Sequence, residues 1–399
     1  MDYIKILRVS YFIIIGLVIN GCVEPITIDI SVFEDSLVIE ATITNEYKFQ
    51  QVKLTRSFKF EDELPTFEIN ASVKIVDDVN NTFLFQEKSA GTYISIEEFK
   101  AQPNTSYQLL ITTNDDKSYS SQPTQLPKST QIDNLYAIRE TDDLGNEGVL
   151  ILVDSYDASG DSKYYRYEFE ETYKIVAPKW VFRDMVINPI TFQISFEQKT
   201  KEEKICYNTI LSNTIIQTET TDLSEDRVTR FNVRTIPRDN PIISHRYSIL
   251  VKQYVQNLEA YTYFKTLNKL SGSESLLSQN QPGFFNGNVF SKDNQSEKVL
   301  GYFEVTTVSS KRIYFNYLDL FPNELLPPYF EDCEEFAPEI VPIPGEPSSV
   351  AEFILAGTAK YYRLNTEPKL GEGPYRLVRR ACGDCTVLGT NIKPGFWEE

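Results

Sequence analysis

Histidine is nearly missing from this sequence: 399 residues hold one, His245. A Ser-His-Asp triad or a histidine-based metal centre would have to be built on that residue alone. A GxSxG nucleophile elbow, a Walker loop and an HExxH pair are also missing. Positive charge is short, with 39 Lys and Arg against 57 Asp and Glu and a formal net charge of −18. Such a surface repels phosphate backbones, so nucleic acid is not an expected partner. No apolar run reaches the roughly 20 residues that a membrane-spanning helix needs. A carboxylate pair of the glycosidase kind remains conceivable, but so acidic a chain contains many pairs by chance and nothing singles one out. No cofactor and no metal are expected, and an enzyme is not the expected class.

What is present begins at the N-terminus. Lys5 and Arg8 precede the apolar stretch VSYFIIIGLVI, which ends in Ile19-Asn20-Gly21-Cys22. The stretch has the length of a secretion-signal core. The four residues resemble a bacterial lipoprotein box, in which the cysteine is acylated and becomes the new N-terminus. Residues 1–21 are therefore expected to be a signal peptide, and Cys22 the lipid attachment point. Two or more acyl chains make a stable membrane anchor. Val23 stands where an aspartate would resemble an inner-membrane retention signal, so the outer membrane is the expected destination. Exposure on the outer face is expected too, although Val23-Glu24-Pro25-Ile26 carries only one acidic residue.

Four further cysteines follow: Cys206, Cys333, Cys382 and Cys385. An even number in an exported chain reads as two disulfides, and three pairings are open. Cys382-Gly-Asp-Cys385 is a CxxC. It lacks the second CxxC or histidine pair of a zinc knuckle. It also lacks the helix start and βαβ surroundings of a thioredoxin-type site.

Apolar and polar residues alternate in 36–45, 51–58, 72–78, 82–87, 92–96 and 106–113, with Asn, Asp, Gly and Pro in the turns. Short alternating strands at this spacing predict an immunoglobulin-like or transthyretin-like β-sandwich over 22–127. The stretch SQPTQLPKSTQ (121–131) reads as a linker. Residues 128–399 read as a larger β-rich domain with one helix inserted near 249–271, where Val251, Tyr254, Val255, Leu258, Tyr261 and Thr262 fall on one helical face and Gly272 ends it. The turn Asp157-Ala-Ser-Gly-Asp161 resembles half a calcium loop but lacks the distal glutamate, and a hairpin turn explains its residues equally well.

The succession of lipobox, sandwich, SKYYRYEF, LEAYTYFKTLNKL, NQPGFFNGNVF, VLGYFEV and CGDCTVLGTNIKPGFW resembles an uncharacterised lipoprotein family of Bacteroidetes that carries a domain-of-unknown-function label. Its most specific pieces are Gly287-Asn288-Val289, Val299-Leu300-Gly301-Tyr302-Phe303 and the stretch from Cys382 to Trp397. The resemblance implies a cell-envelope lipoprotein, often encoded beside a TonB-dependent outer-membrane receptor, and supplies no catalytic residues. The expected function is a lipid-anchored, non-enzymatic binding or accessory protein of such a transport system. The alternatives are an assembly component of an outer-membrane complex and, less favoured, a surface hydrolase. Candidate partner-binding residues are Tyr329, Phe330 and Phe336 in the proline-rich loop 322–349, with Phe396 and Trp397 at the C-terminus. Aromatic residues on irregular segments suit an interface. The competing reading is that they cap their own domain.

Overall fold

A computed structural model describes residues 35–58, 65–271, 287–340 and 347–399. It is mainly β, as the alternation predicts. The chain runs β1 (Leu37–Thr44), β2 (Gln51–Arg56), β3 (Ser72–Asp77), β4 (Thr82–Ser89), β5 (Thr92–Ser95), β6 (Ser106–Thr112), β7 (Ser118–Ser121) and β8 (Thr124–Gln125). Next come β9 (Ile132–Thr141), β10 (Glu147–Tyr156), β11 (Tyr164–Val176), β12 (Arg183–Ile187), β13 (Ile194–Gln198), β14 (Ile205–Leu211), β15 (Ile216–Glu219), β16 (Arg227–Pro237) and β17 (Arg246–Gln256). A helix, Leu258–Ser271, precedes β18 (Val289–Ser291) and β19 (Val299–Asn316). A helix at Ser349–Leu355 and the hairpin β20 (Ala359–Leu364) and β21 (Tyr375–Arg379) complete it.

Three apolar cores organise these elements. The first lies inside β1–β7 and holds Ile39, Ile43, Leu54, Ile75 and Leu109, from alternate positions of their strands. The second lies between the sheet β16-β10-β9 and the strands β11 and β17, and holds Ile151, Val153, Tyr165, Tyr167, Ile249 and Val251. The third is small, with Met185, Ile187, Val350, Ala351, Ala359 and Leu377. It joins the hairpin β12–β13 to the C-terminal segment.

One strand links the first two cores. Val299–Thr306 of β19 pairs in parallel with all of β1. Thr307–Asn316 of the same strand pairs antiparallel with β17. Eighteen residues at about 3.3 Å each give a spine of about 60 Å. Sequence position therefore does not follow the expected boundary at 127/128. Val289, Val299, Phe303 and Val305 belong to the first core although they come from the second half of the chain.

The motif residues of this return segment are explained by crowding. A Cβ on Gly287 would lie 1.6 Å from the carbonyl oxygen of Gly301, and a Cβ on Gly301 would lie 1.9 Å from that of Ile39. Asn288 accepts from the Phe303 amide at 2.7 Å and donates to its carbonyl at 2.8 Å. One side-chain amide thus does for β18 and β19 what a backbone rung does elsewhere in a sheet.

The helix expected near 249–271 begins later. Residues 246–256 form β17, and Asn257 starts the helix by accepting the Ala260 amide at 2.8 Å. Tyr247, Ile249, Val251 and Val255 are buried on one face at a period of two. The helical and strand periods coincide at several of the same apolar positions, and pairing with both β11 and β19 decides the outcome. Among the described residues no helix is long and apolar enough to cross a membrane.

Where β19 passes from one core to the other, its second face is polar and buried. Glu304, 1% exposed, accepts from Arg166 Nη2 at 2.8 Å and from Gln256 Nε2 at 2.6 Å. Arg166 also pairs with Glu168, and its guanidinium carbon sits 4.4 Å from the Tyr254 ring centre and 5.0 Å from that of Phe264 in the helix above. Burial works against the guanidinium charge, but the carboxylates of Glu304 and Glu168 outweigh it and raise its pKa above the ordinary value.

Candidate functional site

A large concavity lies at the end of β19 farthest from β1. It is an open cleft of about 880 Å³ between the β9–β10 turn, the end of β16 and the loop that follows β19. The β9–β10 turn is held by Asp142, whose carboxylate accepts the Leu144 amide at 2.9 Å and the Asn146 amide at 2.8 Å. Gly145 supplies the left-handed backbone the turn needs, with φ of 84°.

Four charges close into a ring at the base of this loop. Arg139 binds Glu147 at 2.5 Å and Glu324 at 2.8 Å; Arg238 binds Glu147 at 2.7 Å and Glu324 at 2.5 Å. Both guanidiniums face the Phe321 ring, at 4.7 and 5.9 Å. Hydrogen bonds from the two arginines hold the Glu147 carboxyl below its usual range. Isolated surface pairs contribute little, but a closed ring fixes geometry. Here it pins Glu324, and with it the next four residues, against β9, β10 and β16. Those residues are Leu325, Leu326, Pro327 and Pro328, and they line the cleft. Leu325 is 91% exposed. Leu325 and Leu326 are thus two neighbouring exposed leucines on a loop anchored at Glu324 and followed by two prolines.

Most of the aromatic residues expected at an interface instead pack on their own chain. Trp397 is buried between the rings of Tyr207, at 5.0 Å, and Tyr314, at 6.4 Å. Tyr329 donates to the Ala381 carbonyl at 2.9 Å. Phe330 stacks on Tyr173, and Phe336 meets Phe353 edge-on at 5.1 Å. Phe396 is partly exposed beneath the Arg312 guanidinium, 3.7 Å away. The cap reading therefore describes Trp397. Truncating it to alanine is expected to lower stability by about 3–5 kcal/mol. Thermal denaturation checks this, and an unchanged melting temperature would contradict the packing role.

The cysteines resolve into Cys206–Cys385 and Cys333–Cys382, with S–S distances of 2.05 and 2.06 Å. The CxxC cysteines bond to different distant partners and not to each other. One bond ties the C-terminal segment to β14, and the other staples the proline-rich loop. Cys22 lies outside the described residues. The Asp157–Asp161 turn is not a hairpin, because it joins β10 to β11 and these lie in different sheets. Burial opposes ionisation there, but hydrogen bonds from Ser159 and Ser162 outweigh it and bring the Asp157 pKa down to about 2. His245 is partly buried, and burial, then Lys174, lowers its pKa. Among the described residues no group of three or more His, Cys, Asp or Glu side chains could hold a metal ion.

The sequence reading missed Leu325, Leu326 and the ring. The run Leu-Leu-Pro-Pro was visible as apolar residues in an irregular segment, yet only the aromatic neighbours were singled out. The ring draws on four separate elements and leaves no local signal.

Residues 23–312 match the family described as a domain of unknown function, DUF4249, and the chain belongs to it. The loop of Leu325 and Leu326 and the disulfide Cys333–Cys382 follow the matched region. No curated protein matches the chain.

Proposed function

We propose that the protein is a lipid-anchored, non-enzymatic binding or accessory protein of the outer membrane in a Bacteroidetes cell envelope, working beside a TonB-dependent receptor on the outer face. The cleft carries this reading. Its apolar wall is displayed and held rigid, and the Glu147 carboxylate in it is committed to two arginines, which suits holding a partner better than moving a proton. Two disulfides fit an oxidising compartment. The Ile19-Asn20-Gly21-Cys22 box supplies the anchor. The start of β19 pairs with the start of β1, and β19 runs from there toward the cleft.

Cys22→Ala is expected to shift the protein from the membrane fraction to the soluble fraction. A variant that stays with membranes after a high-salt wash would place the anchor elsewhere. Electrostatically held proteins are released by salt, whereas acyl chains are not.

A further inference from the structure

A second concavity, of about 480 Å³, lies over the disulfide-stapled C-terminal segment and shares no lining residue with the Leu325 cleft. Phe336 and Phe353 form its apolar wall, with Val387, 44% exposed, beside them. Arg379 and Arg380 stand in the same lining. Arg380 is bound to Asp384 at 3.1 Å. Arg379 differs. Among the described residues its side chain has no hydrogen bond, ion pair or ring contact, whereas each other described arginine has a carboxylate, a carbonyl or a ring. An unpaired arginine is unusual in a chain with 57 acidic residues. The local balance is inverted as well: residues 359–393 carry seven Lys and Arg against three Asp and Glu.

We propose that this pocket binds the C-terminal residue of a partner polypeptide, with the chain-end carboxylate on Arg379 and an apolar side chain against Phe336 and Phe353. A guanidinium presents paired N–H donors that match a carboxylate, and an exposed arginine gives up little hydration to bind one. The aromatic wall calls for an apolar group on the atom next to the anion, which a chain end provides. Glu331 in the same lining repels a doubly charged phosphate more strongly than a singly charged carboxylate. Cys333–Cys382 fixes the two segments that carry Phe336 and Arg379. The pocket lies past the matched family region, so this inference does not rest on the anchor or on the Leu325 cleft.

The test is fluorescence anisotropy of the mature, disulfide-bonded protein with a short fluorescein-labelled peptide ending in phenylalanine. The free acid is compared with its C-terminal amide. The acid is expected to bind at least about tenfold more tightly than the amide, since a hydrogen bond to a charged group is worth that much or more. Arg379→Gln, with an unchanged melting temperature, is expected to weaken the acid to the level of the amide. The proposal is overturned if acid and amide bind wild type alike, if Arg379→Gln leaves the acid's affinity unchanged, or if the acid does not bind.

Discussion

Gly301→Ala is expected to be the most damaging small substitution in the protein. Gly301 has φ of 111°, a conformation whose cost for other residues is about 1–3 kcal/mol before any contact is counted. The added methyl would also lie 1.9 Å from the Ile39 carbonyl oxygen, which belongs to the paired strand and cannot swing aside like a side-chain end. Relieving that overlap means prising β19 from β1, and the eight paired residues of β1 hold the first core to the spine. A loss of at least about 4 kcal/mol follows, at the extreme of single substitutions. Chemical denaturation of the purified variant checks it, or its failure to accumulate folded. A variant within 1 kcal/mol of wild type, about the size of an average substitution, would contradict the close approach of the three backbone segments.

Arg166→Met is expected to be nearly as costly for a different reason. The guanidinium is the cation facing Glu304, which is 1% exposed. Removing it leaves a buried carboxylate with Gln256 as its close donor, and breaking a buried pair from one side typically costs about 3–5 kcal/mol. Methionine keeps much of the volume, so a cavity is not the main cause. The double variant Arg166→Met with Glu304→Gln should recover part of the loss, because the stranded charge is gone. A double-mutant cycle measured by denaturation separates the two contributions. If the losses of the two single variants add up to the loss of the double variant, the pair is not coupled and the polar junction is ordinary packing.

The sequence showed most of the strands because each has one buried face, and that face writes a period of two into the chain. It showed β17 poorly because Val251 and Val255, four apart, satisfy a helical and an extended period together, and only the neighbours β11 and β19 choose between them. It could not show that β19 serves two cores. Its middle is buried on both faces, so the alternation that marks a half-exposed strand is lost there. Gly287-Asn288-Val289 and Val299–Phe303 stood out as motif residues before any reason was visible, and the reason is non-local: three backbone segments meet where only glycine fits. The cysteine pairs were equally illegible, since spacing does not choose among three connectivities. The cleft was least readable of all. Arg139, Glu147, Arg238 and Glu324 are ordinary surface charges in sequence and become a ring only when β9, β10, β16 and the loop after β19 converge. The aromatic residues drew attention because of their size, yet size is what lets Trp397 and Phe330 fill the cap.

The claim at the centre of this account is that an anchored scaffold presents the Leu325–Leu326 face to a receptor. It is tested most directly by placing a photo-cross-linking amino acid at position 325 in living cells that retain Cys22. Position 211, an exposed leucine on β14, serves as the control. Hot-spot residues sit at the centre of an interface and are displaced by charge, so Leu326→Asp is run alongside. The account predicts one main adduct from position 325, identified as a TonB-dependent receptor, lost with Leu326→Asp and not formed from position 211. An adduct to outer-membrane assembly machinery, equal adducts from both positions, or none from position 325 would contradict it.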